Sequence, residues 1–138
     1  MFKPLLLDAS ALETMKAHAE ATYPNECCGF FYGQEGDQRH ISLARPVENS
    51  QAGDQRRRFE ISPLDYMRAE QFALEQGLSL LGIYHSHPEH PAIPSEHDRV
   101  QAQPYFSYLI FSVIGQKVVH YRSWQLKEEQ FEEETIVA

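Results

Sequence analysis

The spacing of apolar positions changes along the chain, and each change predicts a different structural element. Near the N-terminus, Leu12, Met15 and Ala19 recur at helical spacing. Ser10 and Glu13 stand three residues apart, which is the spacing of a capping box. The first helix is therefore expected to begin near Ser10.

Short apolar runs between turn-forming residues predict strands. The run at residues 27–33 is continuous, which is typical of a buried strand. In the run at 39–47, Ile41, Leu43 and Arg45 are expected on one face, because side chains alternate along a strand. The predicted strands are residues 5–7, 27–33, 39–47, 58–61, 78–87, 105–114, 117–124 and 135–137.

A second helix has sequence signals at both ends. Ser62 is a suitable N-cap, Pro63 takes the first helical position, and Asp65 follows three residues after the cap. The helix is expected to reach about Gln76, where Gly77 provides a stop. Helices alternating with strands in this way are typical of an α/β domain whose mixed sheet is covered by helices.

Length and charge narrow the functional classes. The 138 residues suit one domain, spanning 1–138. A formal net charge of −8 argues against a nucleic-acid partner. No apolar run is long enough to cross a membrane, and residues 1–7 lack the features of a secretory signal. We therefore expect a cytoplasmic protein without a membrane partner.

For the two cysteines and for the arginine cluster, the sequence favours a structural or solvated role over a functional one. Cys27 and Cys28 are adjacent, so in a strand they point to opposite faces and are poorly placed to bond each other. Inert packing is favoured for both over a role as thiolate ligands. Arg56, Arg57 and Arg58 lie in a strongly polar segment, and a solvated loop or strand edge is favoured over a specific anion site.

The strongest chemical signal is a pair of histidines followed by an aspartate. His85 and His87 stand two apart on a predicted strand, so their side chains leave the same face with Cα atoms roughly 6.5 Å apart. Alone, the pair would be interpreted as two half-exposed polar residues. Asp98, however, lies in the first turn of a short helix after a stiff loop with three prolines, which can return the chain to the strand end. Two imidazoles and one carboxylate suit zinc, and three protein ligands leave a fourth position for water.

Two further residues have competing interpretations. Ser95 and Asp98 have the spacing of a capping box, which explains the pair without any metal; alternatively, the Ser95 hydroxyl donates to a developing oxyanion. One hydroxyl is not expected to serve both purposes easily, and spacing alone weights them evenly. Glu26, just before a buried strand, is the candidate general base, although a solvated carboxylate there would also be ordinary.

Together these residues resemble the signature of the JAMM (MPN-plus) metallopeptidases. Glu26 stands upstream, His85-x-His87 follows, ten residues separate His87 from Asp98, and Ser95 precedes Asp98 by three. The resemblance implies a cytidine-deaminase-like α/β fold and one zinc ion on His85, His87 and Asp98. It also implies Glu26 as acid/base and Ser95 beside the oxyanion. No motif position departs from the pattern, which disfavours the inactive scaffold branch of the fold.

The resemblance also implies a substrate. Members of the family cleave amide or isopeptide bonds at the C-terminal tail of ubiquitin-like proteins, and compact prokaryotic members release an amino acid, notably cysteine, from a sulfur-carrier protein. We expect such a tail as partner, added as an extended strand beside a sheet edge near the zinc. The alternatives are a non-catalytic binding scaffold and a peptidase of phage-tail or cell-wall proteins.

The other histidines carry weaker signals. A metal sensor using His85, His87 and His90 would make the ten-residue interval to Asp98 a coincidence. His90 lies in the proline loop, where it could touch substrate, and His97 adjoins Asp98. Both are expected to be ordinary surface residues.

Overall fold

The computed structural model describes residues 2–138, which form eight strands and three helices. None of these helices is long and apolar enough to cross a membrane. The strands are β1 (Leu5–Leu7), β2 (Cys28–Glu35), β3 (Arg39–Val47), β4 (Ser79–Pro88), β5 (Ser107–Ile114), β6 (Lys117–Lys127), β7 (Gln130–Glu134) and β8 (Ile136–Val137). The helices are α1 (Ala9–Thr22), α2 (Pro63–Gln76) and α3 (Glu96–Gln101).

All eight strands belong to one mixed sheet in the order β7-β6-β5-β4-β2-β3-β1-β8. The pairs β4–β5, β1–β3 and β1–β8 are parallel and the others antiparallel. Strands β7 and β8 stand at opposite ends of this order, yet only Thr135 separates them in sequence. The Leu5 amide donates to the Thr135 carbonyl at 2.8 Å. The C-terminal segment therefore joins the two sheet edges, and the sheet must curl to allow it.

Apolar side chains build a separate cluster on each face of the sheet. Met15 of α1 packs in a cluster with Tyr84 of β4. Ala69 of α2 packs in the other cluster with Ile83, the neighbour of Tyr84. Because successive strand residues face opposite sides, His85 shares the α2 face with Ile83. The expected α/β fold, a mixed sheet flanked by helices, is confirmed.

The predicted ends of α2 are confirmed. The Ser62 hydroxyl accepts the Asp65 amide at 3.2 Å, which caps the first turn. Gly77 ends the helix with a left-handed φ of 66°, a conformation that glycine adopts without steric cost.

The predicted start of α1 near Ser10 is confirmed to within one residue, but the predicted capping box is wrong. The helix begins at Ala9, so Ser10 and Glu13 lie inside it and form no capping box. Asp8 occupies the N-cap position, but its side chain makes no capping hydrogen bond. Its carboxylate instead lies 2.8 Å from His40 Nε2 on β3. The contact with β3, rather than a local capping hydrogen bond, therefore holds the start of α1.

The predicted alternation along β3 is also wrong. Ile41 packs in the α1 cluster, whereas Leu43 packs against the α2 cluster. Pairing with β2 shifts between these two residues, so that Ser42 is an extra residue in β3. Such a bulge exchanges the faces of all later side chains. Arg45 accordingly lies with Leu43 on the α2 side, with its guanidinium carbon 4.0 Å from the centre of the Phe72 ring.

One predicted strand is absent and one observed strand was not predicted. Residues 58–61 pair with no strand, although hydrogen bonds hold the segment in position. The acidic segment Gln130–Glu134 forms β7, which the sequence did not indicate, by pairing with β6. The short strand predicted at 135–137 is confirmed as β8.

Candidate active site

His85 and His87 lie at the buried C-terminal end of β4. This strand is interior to the sheet, with β2 on one side and β5 on the other, so little of either imidazole reaches solvent. Phe59, from the unpaired segment 58–61, stacks on the His85 ring with centroids 4.5 Å apart and planes 28° apart. The two Nε2 atoms lie 3.2 Å from each other. The strand therefore brings the two imidazoles together as the alternation predicted.

Asp98 completes a small triangle with the histidines. Its Oδ2 atom lies 3.3 Å from His85 Nε2 and 3.1 Å from His87 Nε2. The same oxygen accepts the Ser95 amide at 2.9 Å, and the Ser95 hydroxyl accepts the Asp98 amide at 3.1 Å. The predicted capping box is thus present, and it orients the Asp98 carboxylate towards β4.

The protonation pattern makes this triangle a candidate cation site. His87 Nδ1 lies 2.9 Å from the Pro91 carbonyl, which can only accept, so Nδ1 carries the proton. In the neutral ring Nε2 is then an electron-pair donor, and it faces the Asp98 carboxylate. Such an arrangement requires a proton or a metal cation between the donors.

Burial and charge act in opposite directions on these groups. Burial alone would raise the pKa of Asp98, but the charges and hydrogen bonds of both histidines hold it far below its usual range. Burial lowers the pKa of His85. For His87, burial is outweighed by its contact with Asp98, and the pKa rises. The site therefore favours a carboxylate with positive charge beside it.

The distances suit a tetrahedral metal ion. Ligands roughly 2.0–2.2 Å from zinc lie about 3.3–3.6 Å from one another, close to the triangle observed here. Two nitrogens and one oxygen are also a donor set that zinc accepts, and the Pro91 contact is the outer hydrogen bond typical of a ligating histidine. The residues present fit the metal that the sequence predicted.

Glu26 lies close to the histidine pair. Ligand atoms of Glu26, His85 and His87 lie within 4.8 Å of one another, so this buried group could also hold a metal ion. Asp98 makes the shorter contacts with both histidines, which favours it as the third ligand and leaves Glu26 free. Glu26 Oε1 has no hydrogen-bond partner within residues 2–138. Mainly through burial, the pKa of Glu26 rises to about 8.

This geometry is accompanied by a match to a known family. Residues 8–127 match the family model described as prokaryotic homologs of the JAB domain. The chain belongs to this family. The JAMM/MPN resemblance inferred from the motif is thereby confirmed.

Two relatives of this JAB-family chain are named as enzymes. A desampylase from Haloferax volcanii is 34% identical over 121 residues, covering 84% of this chain and 86% of the relative. A CysO-cysteine peptidase from Mycobacterium tuberculosis is 29% identical over 137 residues, covering 96% of this chain and 89% of the relative. The prediction of a hydrolytic enzyme of the JAMM type is confirmed by these similarities.

Solved structures agree with the fold. Protein DSY2949 from Desulfitobacterium hafniense has a TM-score of 0.84 at 34% identity, covering 96% of this chain and 91% of that protein. AF2198, a JAB1/MPN domain protein from Archaeoglobus fulgidus, has a TM-score of 0.60 at 15% identity, covering 98% of this chain and 99% of that protein. The second similarity concerns the fold alone.

Ser95 of this JAB-family domain can serve both suggested purposes. As a cap its hydroxyl oxygen accepts a hydrogen bond, which leaves its O–H available to donate. The residue is exposed and lines a groove of about 580 Å³ together with Glu26 and His87. The capping hydrogen bond therefore does not prevent the hydroxyl from donating to an oxyanion. Its role at an oxyanion stays a prediction.

Asn49 organises the loop that faces the site, and nothing in the sequence pattern singled it out. Its amide group donates to the carbonyls of Glu26 at 3.2 Å and Arg58 at 3.1 Å. Its side-chain oxygen accepts the amides of Gln51 at 3.0 Å and Glu60 at 3.1 Å. Asn49 thereby ties the segment that carries Phe59 to the residue that carries the candidate base.

The remaining candidates have mixed outcomes. His90 is exposed, as expected, and lines the same groove as Glu26. His97 is half-buried instead of exposed, and its Nε2 has no partner within residues 2–138. Cys27 and Cys28 are free and buried, and burial raises the pKa of each thiol, which fits inert packing.

Proposed function

We propose that this chain is a zinc-dependent peptidase that hydrolyses the amide bond at the C-terminal tail of a ubiquitin-like sulfur carrier. One observation carries the metal assignment: electron-pair donors of His85, His87 and Asp98 lie 3.1–3.3 Å apart in a buried site. These three residues would hold the zinc ion, which would relieve the repulsion between them. When bound, it would supply Lewis-acid polarisation of the scissile carbonyl and a lower pKa for the attacking water.

Glu26 serves as the proton carrier in this proposal. Its pKa of about 8 lies near the working pH, where a group can both accept and return a proton. A bound cation beside it would lower that pKa and favour the carboxylate before attack. Glu26 then takes a proton from the attacking water and delivers it to the leaving amine, which departs as a neutral molecule.

Ser95 stabilises the carbonyl oxygen as negative charge develops on it. Its O–H is free to donate, while its oxygen remains bonded to the Asp98 amide. The capping box thus holds the donor next to the metal ligand. This contact orients the scissile carbonyl between Ser95 and Glu26 across the groove.

The substrate assignment is supported by the relatives and by the shape of the site. The names of the relatives refer to desampylation and to cysteine release from CysO. At the histidines, β4 and its neighbour β5 each have strands on both sides, so no sheet edge is free there. The tail therefore lies in the groove rather than adding to β4, and small glycine residues let its backbone approach the metal closely.

A non-catalytic scaffold is the alternative that these residues disfavour. A scaffold has no need for a buried, unpartnered carboxylate, whose burial costs free energy, beside three converging donors. Glu26 and the triangle are together the expected composition of a hydrolytic site.

The test is hydrolysis of defined carriers. Ubiquitin-like sulfur carriers from the same genome, each extended by one C-terminal cysteine, are incubated with the zinc-loaded protein. Mass spectrometry should show the carrier shortened by one residue and free cysteine in equal amount, with no product from the Glu26→Gln variant. Unchanged carriers, together with unchanged isopeptide conjugates of the same carriers, would reject the proposed function.

A further inference from the structure

Arg57 lines the same groove as Glu26, His87 and Ser95, although it was expected to be a solvated loop residue. Its side chain is 83% exposed, and its nearest acidic partner is Asp54, with Nε 3.9 Å from Oδ2. Within residues 2–138, Glu26 forms no ion pair with Arg57, and its Oε1 atom has no hydrogen-bond partner. The guanidinium is thus available beside the candidate base.

The guanidinium of Arg57 has only a long contact with a carboxylate that it shares with Arg56. Asp54 is shared by two arginines, since Arg56 Nε also lies 3.3 Å from Oδ1. A second groove of about 340 Å³ continues past Arg57 and is lined by these residues and by Glu89. Glu89 is already engaged there, accepting the Tyr23 hydroxyl and the Gly115 amide, each at 2.8 Å. Among residues 2–138, Arg57 therefore has no acidic partner closer than the 3.9 Å contact with Asp54.

The loop that carries Arg57 is fixed to the candidate base. The Glu26 amide donates to the Gln55 carbonyl at 2.7 Å, and the Gln55 side chain donates to the carbonyls of Asn49 at 3.1 Å and Gln51 at 2.9 Å. Arg57 follows Gln55 by two residues, so it projects from the Glu26 side of the groove. Ser95, by contrast, comes from the segment that leads into α3.

We propose that Arg57 binds the free α-carboxylate of the residue that is released, which makes this enzyme selective for a single C-terminal amino acid. The inference rests on the proposed function and adds the form of the leaving group. Glu26 protonates the leaving amine, so the part of the substrate beyond the scissile nitrogen lies on the Glu26 side. In an α-amino acid the carboxylate carbon lies about 2.5 Å from that nitrogen, within the same groove.

The reaction is ordinary amide hydrolysis. Water adds to the carrier's terminal carbonyl, the C–N bond breaks, and the products are the carrier carboxylate and a free amino acid with its ammonium and carboxylate groups. An isopeptide bond to lysine offers no such carboxylate, because the carboxyl group of that lysine lies in a peptide bond. The contact with Arg57 therefore discriminates between the two leaving groups by charge.

The test compares two substrates that differ in one charge. A sulfur carrier from the same genome is extended by cysteine, with its terminus either free or as the carboxamide. Wild type should hydrolyse the free acid about tenfold better in kcat/KM, mainly through KM, as expected for a charge-assisted hydrogen bond. Arg57→Gln should lose this preference by weakening the acid substrate alone, and Arg122→Gln, a change of another exposed arginine, should keep it. Higher salt should reduce the preference.

The possible outcomes test the carboxylate contact of Arg57 separately from the proposed function. Equal hydrolysis of acid and carboxamide by wild type, or an equal loss with both in Arg57→Gln, overturns the inference and leaves the proposed function standing. If wild type cleaves neither, the proposed function fails. In that case calorimetry decides on Arg57, by measuring how tightly Glu26→Gln binds the free-acid and the carboxamide carrier. Tighter binding of the free acid, lost when Arg57→Gln is added to Glu26→Gln, supports the carboxylate contact. Equal binding of the two carriers rejects it.

Discussion

The backbone amide of Glu26 donates to the carbonyl of Gln55 at 2.7 Å, so the candidate base and the loop that carries Arg57 form one unit. The side chain of Asn49 strengthens the connection by donating to the Glu26 carbonyl at 3.2 Å. A polar loop of this length would otherwise be free to move. Its hydrogen bonds preorganise the groove before substrate arrives, which lowers the entropic cost of binding.

Replacing Asn49 by alanine should release this loop. Four hydrogen bonds disappear, to Glu26, Arg58, Gln51 and Glu60, and we expect unfolding to become easier by about 2 kcal/mol. Denaturant titration of zinc-loaded protein measures the change. Asn25→Ala is the matched control, since no side-chain hydrogen bond of Asn25 occurs within residues 2–138. Equal stability of the two variants would show that Asn49 does not hold the loop.

The proposed metal ligands can be tested without any substrate. The wild-type protein should contain about one zinc ion per chain, and His85→Ala or Asp98→Ala should bind zinc more than roughly 100-fold more weakly, because each removes one of three protein ligands. Elemental analysis after dialysis measures the content. His90→Ala, an exposed histidine of the same groove, should retain the metal. Full zinc in both ligand variants would refute the assignment.

Changing Glu26 should separate chemistry from metal binding. Glu26→Gln keeps the size of the side chain but cannot carry the proton, so kcat should fall by roughly 10²–10⁴. Zinc content should stay at the wild-type level, because Asp98 rather than Glu26 completes the ligand set. Single-turnover assays on the cysteine-extended carrier measure the loss. Parallel loss of zinc would instead identify Glu26 as a ligand, since its ligand atom lies within 4.8 Å of those of both histidines.

The convergence of His85, His87 and Asp98 was predictable because the spacing of these residues alone brings them together. His85 and His87 share a strand face by simple alternation, and the loop before Asp98 is too short and stiff to carry it far away. The ends of α2 were predictable for a similar reason, since Ser62 and Gly77 act on their own backbone.

Other features depend on contacts between distant segments, which spacing does not encode. The faces of Ile41 and Leu43 depend on a bulge that forms only when β3 pairs with β2. β7 is acidic and became a strand through pairing with β6. Phe59 lies against His85 although 26 positions separate them, and local pattern gave no sign of this contact.

Ser95 requires a substitution that separates its two roles. Ser95→Gly removes the hydroxyl, yet glycine at an N-cap costs only a few tenths of a kcal/mol. We therefore expect nearly wild-type stability and zinc content, with kcat lowered by roughly 10²–10³ through loss of the oxyanion donor. Ser95→Thr retains the hydroxyl and should restore most of the activity. Unchanged kcat in Ser95→Gly would leave Ser95 with capping alone.

His18 on α1 should make stability depend on pH from the face of the sheet opposite to His85. Its Nδ1 lies 2.8 Å from the hydroxyl of the buried Tyr84, and burial lowers the pKa of His18 below the ordinary 6.5. As pH falls through 6.5, the unfolded chain binds a proton that the folded protein does not, so the free energy of unfolding decreases down to the folded-state pKa. In His18→Gln this pH-dependent contribution to the free energy of unfolding is absent.

The difference between the two proteins isolates the contribution of His18, because all other histidines are common to both. Urea titrations of zinc-loaded wild type and His18→Gln at pH 7.5, 6.5 and 5.5 should show the advantage of the wild type shrinking towards the acidic end. The slope has this sign because the unfolded state binds more protons than the folded state in that interval. An advantage that is constant across the series would mean that His18 titrates alike in both states, and its burial against Tyr84 would then carry no electrostatic cost.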